Sequence, residues 1–587
     1  MLRGLVLGAA LAAGLAAVNN ASASGVPDAI NTGVRWEVYK SHWSEQDEAG
    51  YSAFVQAIGR SKCSSLDSCL KSDANPYRSS VDPDLPGDCA DMAYVLRAYY
   101  AWKNGLPFSY QNAMRTANGK REDLRYSTGG NAVAGRRQIL NYVSNAPAFI
   151  ARIGGEVSTA MFRTHPEKGG GRSHDDFYPV AISREAVKPG VLAYDIFGHV
   201  GIVYDVLENG RVLIVASHPD NSVTRTAYGP NFMRSKPELG AGLKAWRPIY
   251  VDGAEKDSDG SLLGGKLRAK ENAALKTFSM EQYFGNTPHP SGEWHHGEFR
   301  HNERTLKYYD YVRRKLAASD FAYDPVDELR FGLQTICGDI KSRKAAVDAA
   351  YFSRVHLKPH PEKLPPNIYG TYGEWEEYST PSRDARLKVS FIELRRDTQQ
   401  LYEEAKAGAP GIEYDGDDLA GDLFQAFEEE KNACTYTYWR SDNTRMRLNL
   451  GHAMERLWLL SFDPYHCPER RWGANGAELE TCTDDAEKSQ WYNAQRFLRY
   501  QARRTYDIRM DFALAELKPP MTASPENGGL GSDAPADADI RDYLLSLSSA
   551  VLANNDEPVW ATPIVLKTDE QDNFFPAWHK NGGETAQ

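Results

Sequence analysis

The pattern of apolar and polar positions changes near residue 250. Before it, helical and strand patterns are mixed, and HVGIVYDV and RVLIVAS flank the turn 207–210, which predicts a β-hairpin. After it, apolar residues recur at helical spacing. The clearest such positions are Leu306, Tyr309, Val312 and Leu316, then Met446, Leu450, Ala453, Leu457 and Leu460, with further helical signals in 388–406, 419–432 and 484–506. The chain is therefore expected to hold an α+β domain followed by a mostly α-helical domain.

Two stretches of distinct composition divide the chain. Residues 252–274 are polar, Gly-rich and nearly free of aromatic side chains, which is typical of a linker. Residues 518–539 are of low complexity and precede a short helix and an irregular tail. The predicted organisation is a signal peptide at 1–23, an α+β domain at 24–251, a linker at 252–274, a helical domain at 275–517, and a linker and tail at 518–587.

The first residues have the features of a secretory signal. Arg3 precedes a short apolar run, and the small residues at 21–23 suit cleavage near Ala23. The run ends by Val18, short of the roughly 20 residues that a membrane span needs. We therefore expect a periplasmic or secreted protein without a membrane span. The net charge of −11 does not attract nucleic acid, so no nucleic-acid partner is expected.

The cysteine count is odd, and an exported chain meets an oxidising compartment in which thiols pair. Two pairs of neighbouring cysteines bracket short polar or Gly-containing segments, so local pairing closes both loops. Two more cysteines then pair across the second half. The predicted disulfides are Cys63–Cys69, Cys337–Cys434 and Cys467–Cys482. The cysteine left unpaired is Cys89.

The segment PGDCADMAYVLRAYYAWKNGLPF places Cys89 at the start of a predicted helix. A turn at 86–88 precedes the cysteine, and apolar residues after it recur at helical spacing. The backbone N–H groups of a helix N-terminus favour a thiolate and can hold the oxyanion of a tetrahedral intermediate. Cys89 is therefore the candidate nucleophile. The alternative is a small buried residue of a core helix.

A candidate base follows about a hundred residues later. His199 begins the first strand of the predicted hairpin, where it can accept the thiol proton and pass it to a leaving amine. A third group usually orients such a histidine, and the second strand ends in SHPDNS, which offers His218 and Asp220. The choice between these two stays open. Upstream, Asn75 and Tyr77 are candidate oxyanion donors.

Around these residues the chain resembles the papain-like cysteine enzyme superfamily. GDCADMAYVLRAYYAWKNGLPF is similar to the Cys-bearing helix of the transglutaminase-like group. The Asp88-Cys89 pair and PGVLAYDIFGHVGIVYDV resemble the NlpC and CHAP groups of cell-wall endopeptidases and amidases. The resemblance covers about 150 residues. It implies Cys89 as nucleophile, His199 as base, and a Cys-bearing helix packed on an antiparallel sheet.

The chain also departs from both groups. The His-Ala-Trp and Asp-Pro elements of the transglutaminase pattern are absent from the sequence. The NlpC pattern has Ser-Gly after the cysteine, where this chain has Ala90-Asp91. The cysteine-to-histidine distance is also longer, because RTHPEKGGGRSHDDF is inserted between them.

These features together predict an exported cysteine hydrolase that cleaves peptide or isopeptide bonds through a Cys89 thioester, with peptidoglycan as the candidate substrate. One alternative is a transglutaminase-like acyl transferase, which uses the same residues and passes the thioester to an amine. Another is a non-catalytic secreted binding protein. For the helical domain three roles stay open: binding a glycan, docking a protein partner, and shielding the cleft.

No metal or cofactor is predicted. His295, His296 and His301 are metal-ligand types near Glu298, but adjacent histidines on a helix point apart and no thiol completes a set. The acidic segment 415–422 lacks the alternating pattern of a calcium loop, so a charged turn before a helix is expected there.

Overall fold

The computed structural model describes residues 28–166, 174–319, 321–370, 373–378, 381–503, 509–517, 531–547 and, for the backbone alone, 564–566. The predicted signal peptide lies outside the described residues, as do 518–530 of the predicted low-complexity stretch and most of the C-terminal tail. Within the described ranges, no helix combines the length and the apolar character that a membrane crossing requires.

The first half of the chain combines helices with antiparallel strands. Its helices are α1 (Glu45–Arg60), α2 (Leu66–Lys71), α3 (Cys89–Lys103) and α4 (Ala146–Gly154). Its strands are β1 (Trp36–Glu37), β2 (Phe108–Thr116), β3 (Asn131–Ile139), β4 (Tyr142–Val143), β5 (Phe177–Pro179), β6 (Leu192–Asp195), β7 (His199–Val206), β8 (Val212–Ser217), β9 (Val223–Ala227), β10 (Gly242–Trp246), β11 (Ile249–Lys256) and β12 (Leu262–Ala269). The prediction of a mixed α and β first half is confirmed.

One six-stranded sheet organises this half. Its strand order is β5-β10-β6-β7-β8-β9, and every neighbouring pair is antiparallel. The predicted hairpin is β7 and β8, joined through the turn that contains Gly210. Helix α3 lies on one face of the sheet, where Met92 and Leu96 share a buried cluster with Val200 and Ile202 of β7. The helix is buried on all sides, because it is built from Ala, Tyr and other apolar residues.

The predicted linker at 252–274 is in fact a β-ribbon over most of its length. Strands β11 and β12 pair from Ile249↔Ala269 to Lys256↔Leu262. The ribbon is bound to the first half, because Leu262 N–H donates to the Val38 carbonyl at 2.7 Å. A two-stranded ribbon that exposes most of its residues needs few apolar side chains, so its composition is similar to that of a linker.

The second half is mostly helical, as predicted. Its helices are α5 (Glu281–Phe284), α6 (Tyr308–Leu316), α7 (Pro325–Phe352), α8 (Glu374–Glu377), α9 (Pro381–Lys406), α10 (Leu419–Ala433), α11 (Leu450–Glu455), α12 (Pro468–Arg471), α13 (Ala486–Ala494), α14 (Arg496–Arg499) and α15 (Ile540–Leu547). Its strands are β13 (Phe299–His301), β14 (Arg304–Leu306), β15 (Thr435–Trp439), β16 (Arg445–Asn449) and β17 (Ile564–Leu566). Helices α7 and α9 pack on each other, and α7 also packs on β9 of the first half.

The single helix predicted from Met446 to Leu460 is wrong. Met446 lies on β16, and only α11 is helical in this stretch. Along β16 the buried Met446 and Leu448 flank the exposed Arg447, which is the alternation of a strand. All five apolar positions are nevertheless buried. The helical spacing therefore identified core residues but assigned the first of them to the wrong element.

The three predicted disulfides are confirmed. They are Cys63–Cys69, Cys337–Cys434 and Cys467–Cys482, with Cα–Cα distances of 4.9, 5.9 and 5.6 Å. Of the seven cysteines, all within the described ranges, Cys89 alone is free. The second of these bonds ties the middle of α7 to the residue that ends α10.

The second half packs on the sheet face opposite α3. Side chains alternate between the two faces of a strand, and Val203 of β7 and Ile214 of β8 share a buried cluster with Tyr311 and Leu316 of α6. The sheet is thus covered on one face by the first half and on the other by the second. His199 lies four residues before Val203 on β7 and so belongs to the side that faces the second half.

Candidate active site

Cys89 is the first residue of α3, as predicted. The Asp88 carboxylate accepts hydrogen bonds from the backbone N–H groups of Ala90 and Asp91 at 2.9 and 3.1 Å. The Asp91 carboxylate accepts one from the Asp88 N–H at 2.9 Å. These reciprocal bonds form a capping box that fixes the helix start. Ala90 and Asp91, which differ from the NlpC pattern, therefore belong to a well-capped helix.

The turn before Cys89 is bound to the loop that carries His218. The Gly87 N–H donates to the Asn221 side-chain oxygen at 3.2 Å. The Ser217 hydroxyl donates to the Gly87 carbonyl. Two segments more than a hundred residues apart in sequence are thus held together beside the thiol.

The Cys89 thiol lies against the start of β7. The backbone N–H of Val200, the residue that follows His199, lies near enough to the sulfur to lower the pKa of the thiol. A tight turn precedes the strand, since Gly198 has φ of +77° and a Cβ there would lie 2.9 Å from the Tyr126 hydroxyl oxygen. The structure therefore brings the two sequence-predicted residues, Cys89 and His199, to the same end of the sheet.

The surroundings of Cys89 favour the neutral thiol. Burial raises the pKa of Cys89 above its ordinary value, and the carboxylates of Asp88 and Asp91 act in the same direction. The Val200 N–H and the Arg386 guanidinium act to lower it. The expectation of a Cys89 thiolate at the helix N-terminus is not favoured by this arrangement, because burial and the carboxylates of Asp88 and Asp91 raise the pKa of the thiol.

Iodoacetamide is expected to alkylate Cys89 more slowly in the folded protein at pH 7 than in the protein unfolded by guanidinium. The thiolate is the form that reacts, and a raised pKa means that a smaller fraction of Cys89 is thiolate at pH 7. The labelling rate should therefore increase as the pH rises. Mass spectrometry under non-reducing conditions measures the labelling, with the six disulfide cysteines as an internal control. Faster labelling at pH 7 in the folded protein would show that Cys89 is ionised there.

Of the two candidates for the third group of the site, His218 is the one that lies beside His199. The two imidazole rings are nearly parallel, at 8°, with centroids 5.2 Å apart. His218 Nε2 is hydrogen-bonded to the Thr224 hydroxyl at 2.7 Å. Burial lowers the pKa of His218 below its ordinary value, and the Arg383 charge acts in the same direction. His218 is therefore neutral at pH 7 and held in one orientation.

Asp220 has a different partner. Its carboxylate accepts a hydrogen bond from Arg383 of α9 at 3.0 Å, and both side chains are largely buried. Burial acts to raise the pKa of Asp220, but the Arg383 guanidinium outweighs it and the pKa is lowered. Of the two alternatives left open by the sequence, the geometry favours His218 as the neighbour of His199 and gives Asp220 to an ion pair between the two halves.

Asp220→Asn is expected to destabilise the protein by about 3 kcal/mol, because it leaves the largely buried Arg383 without its carboxylate. The free energy of unfolding from denaturant titration measures the loss. Asp257→Asn, in the exposed turn of the ribbon, is the matched control and should have no measurable effect. If instead Asp220→Asn kept full stability and shifted the pH profile of catalysis, Asp220 would be an orienting residue of the site.

The predicted oxyanion donors lie elsewhere, so that assignment is wrong. Asn75 donates to Tyr99 at 3.0 Å, and the Tyr77 ring packs on Tyr100 at 5.6 Å between centroids. Tyr99 and Tyr100 follow Cys89 by ten and eleven residues on α3, which is about 15 Å along a helix axis. Asn75 and Tyr77 therefore support the far end of the helix.

The sequence also gave no indication of the residues that the second half contributes. A cavity of about 40 Å³ adjoins the two histidines. It is lined by His199, His218, Thr224, Thr226, Asn231 and Phe232 of the first half and by Asp339, Ser342, Arg343, Arg383, Arg386 and Leu387 of α7 and α9. Helices α7 and α9 thus form one wall of the site. Nothing in the local sequence of these helices marks residues that face a histidine more than a hundred positions away.

One further carboxylate was missed within the first half. Asp195 of β6 is the antiparallel register partner of His199, and paired residues lie on the same face of a sheet. Asp195 is fully buried, and its Oδ1 accepts backbone N–H groups of Phe197 and Met233 at 3.4 Å. The short turn in YDIFGH, which joins the two strands, is the sequence feature from which the pairing of Asp195 with His199 could have been predicted.

The expectation that His295 and His296 point apart is wrong. Their ring centroids are 4.0 Å apart, and Glu293 Oε2 lies 3.0 Å from His296 Nδ1 and 3.7 Å from His295 Nε2. The short 3-10 turn at Trp294–His296 turns the side chains differently from an α-helix. The ligand atoms of these three exposed residues are near enough to share a metal ion. In the described ranges one other group meets this condition, and it includes two disulfide cysteines.

Comparison of the chain with protein-family models, with curated proteins and with solved structures finds no match. The residues of the site themselves are therefore the basis for assigning a function.

Proposed function

We propose that the protein is an exported cysteine hydrolase that cleaves peptide or isopeptide bonds, with Cys89 as nucleophile and His199 as general base. The observation that carries the proposal is the position of the free thiol, at a capped helix start and near the backbone amide of Val200, the residue after His199. A nucleophile beside a histidine, with a second polar group beside that histidine, is the arrangement that acyl-transfer enzymes share. His218 supplies the second polar group.

The chemistry follows from these positions. His199 takes the Cys89 proton, and the sulfur attacks the amide carbonyl to form a tetrahedral intermediate. The C–N bond then breaks as His199 returns the proton to the leaving amine, which leaves a thioester on Cys89. Water, deprotonated by His199, attacks the thioester and releases the acid and the free thiol.

The oxyanion must be held by backbone groups near the thiol. The N–H groups of Ala90 and Asp91 are occupied by the Asp88 cap. The N–H of Cys89 itself lies at the helix start and is the donor that the proposal assigns to the oxyanion. Because the resting thiol is neutral, proton transfer to His199 accompanies attack instead of preceding it.

The test is incubation of the mature protein with purified peptidoglycan and with a mixed peptide library, followed by mass analysis of the products. Wild type should release fragments with new amine and carboxyl ends, and Cys89→Ala should release none. His289→Ala, an exposed histidine outside the site, is the control for handling and folding.

The same experiment separates the two alternatives. If a labelled amine becomes stably attached to glutamine peptides in a Cys89-dependent manner, the protein is an acyl transferase. If wild type and Cys89→Ala give identical products with every substrate, the enzyme proposal is refuted and a binding protein remains.

A further inference from the structure

The second half contributes charged groups to the cavity that adjoins His199 and His218. Three of the twelve residues that line it are arginines, all from α7 and α9, and one is an aspartate, Asp339. Arg386 acts electrostatically on Cys89, His218 and Asp339, which lie on three different elements. The Arg386 guanidinium therefore lies near enough to the Cys89 thiol and to His218 for its charge to act on both.

The other two arginines belong to ion pairs at the edge of the cavity. Arg383 is bound to Asp220. Arg343 is bound to Asp384 through Nε and Nη2 at 2.8 and 3.0 Å, and among the described residues its buried Nη1 has no hydrogen-bond partner. A buried guanidinium nitrogen without an acceptor is costly unless a ligand supplies one.

The cavity has the size of a small anionic group. About 10–15 Å³ of such space holds one water molecule, so a cavity of about 40 Å³ holds about three non-hydrogen atoms. A carboxylate has three, and its two oxygens match the donor geometry of a guanidinium.

A larger groove leads to this cavity. It measures about 790 Å³ and runs between the β8–β9 region and α6 of one wall and α7 and α9 of the other. Thr226, Asn231 and Asp339 line both the groove and the cavity, so the two are adjacent. The volume lies within the roughly 300–1,000 Å³ typical of sites for small molecules. A groove of this size suits a short peptide-like ligand.

We propose that the groove binds a short peptide-like substrate whose free carboxylate is held in the cavity by Arg386, with Arg343 and Arg383 beside it. The cleaved amide then lies within about one residue of that carboxylate, because the same cavity adjoins His199. The cleavage rests on the proposed function, whereas the binding does not. Because the three arginines belong to α7 and α9, the proposed role of the helical half is substrate recognition.

The test uses Cys89→Ala protein, which cannot turn over a bound substrate, and two libraries of acetylated tripeptides. One library ends in free carboxylates and the other in primary amides, with otherwise identical sequences. Peptides retained by the full-length protein after gel filtration are counted by mass spectrometry. The expected result is at least about tenfold more retention from the carboxylate library.

Three further variants, each in the Cys89→Ala protein, locate the binding. Arg386→Gln should abolish the preference for the carboxylate library, and Arg386→Lys should restore part of it. Thr226→Trp should block retention altogether, because it fills the junction of groove and cavity without removing a charge. Arg330→Gln is the control and should leave retention unchanged, because this arginine of α7 lines neither the groove nor the cavity and pairs with Glu429 at the surface.

Equal retention from both libraries, or none from either, would overturn the proposal. A melting temperature of each variant within a few degrees of its parent shows that loss of binding is not loss of folding. If the Cys89→Ala protein retains carboxylate peptides but the wild type cleaves none of them, the proposed function is refuted and the carboxylate-binding site is still supported.

Discussion

His199→Gln is expected to lower kcat on a cleaved peptide by about 10³-fold or more, with little change in KM. Removing the base of a nucleophile–histidine pair leaves only the binding and oxyanion contributions to catalysis. The loss should be severe here because burial holds the Cys89 thiol neutral, so no preformed thiolate can compensate. Glutamine keeps a polar side chain of similar size at the start of β7, so the fold should be retained.

Single-turnover and steady-state kinetics on one substrate measure this effect. His218→Gln should lower kcat less than His199→Gln and should shift the pH profile, because the proposed mechanism gives the proton transfer to His199 and uses His218 only to position that ring. His289→Gln is the matched control, on an exposed loop. If His199→Gln kept more than about a tenth of wild-type kcat, the base would have to be another residue.

Removing the Cys337–Cys434 disulfide with the Cys337→Ala/Cys434→Ala variant is expected to cost about 4–5 kcal/mol of stability. The bond closes a loop of 97 residues, and the loss of unfolded-state entropy grows with loop length. It also joins α7, a wall of the cavity beside His199 and His218, to the end of α10. Activity should therefore fall together with stability.

Denaturant titration without reductant measures the change in the free energy of unfolding. The matched control is Cys63→Ala/Cys69→Ala, whose disulfide spans only six residues and should cost about 2 kcal/mol. Equal losses in the two variants would show that strain or local packing, and not loop closure, determines the contribution of these disulfides.

Much of the first half could be predicted from the sequence because its signals are local. The start of α3 follows from a turn, a capping residue and helical spacing, and the β7–β8 hairpin follows from two apolar runs around Asn209-Gly210. The pairing of cysteines was also accessible, since two of the loops are short. The β11–β12 ribbon was missed because an exposed ribbon and a linker have the same composition.

The site could be predicted only in part. Cys89 and His199 each have a distinctive local sequence, and both lie at the same end of the sheet. The choice between His218 and Asp220 needed the tertiary structure, because it depends on where Arg383 of α9 lies. Arg386 and Asp339 could not be predicted at all, since their role depends on how α7 and α9 pack on the first half.

The six-stranded sheet is covered on its two faces by different halves of the chain, which bears on how such a protein could evolve. An excised first half would expose Val203, Val212 and Ile214 as a continuous apolar surface of the kind that drives aggregation. A gene fragment for either half would therefore not be a self-sufficient module. Recombination is expected to pass on the two halves together, so their sequences should change in step along α6 and β7.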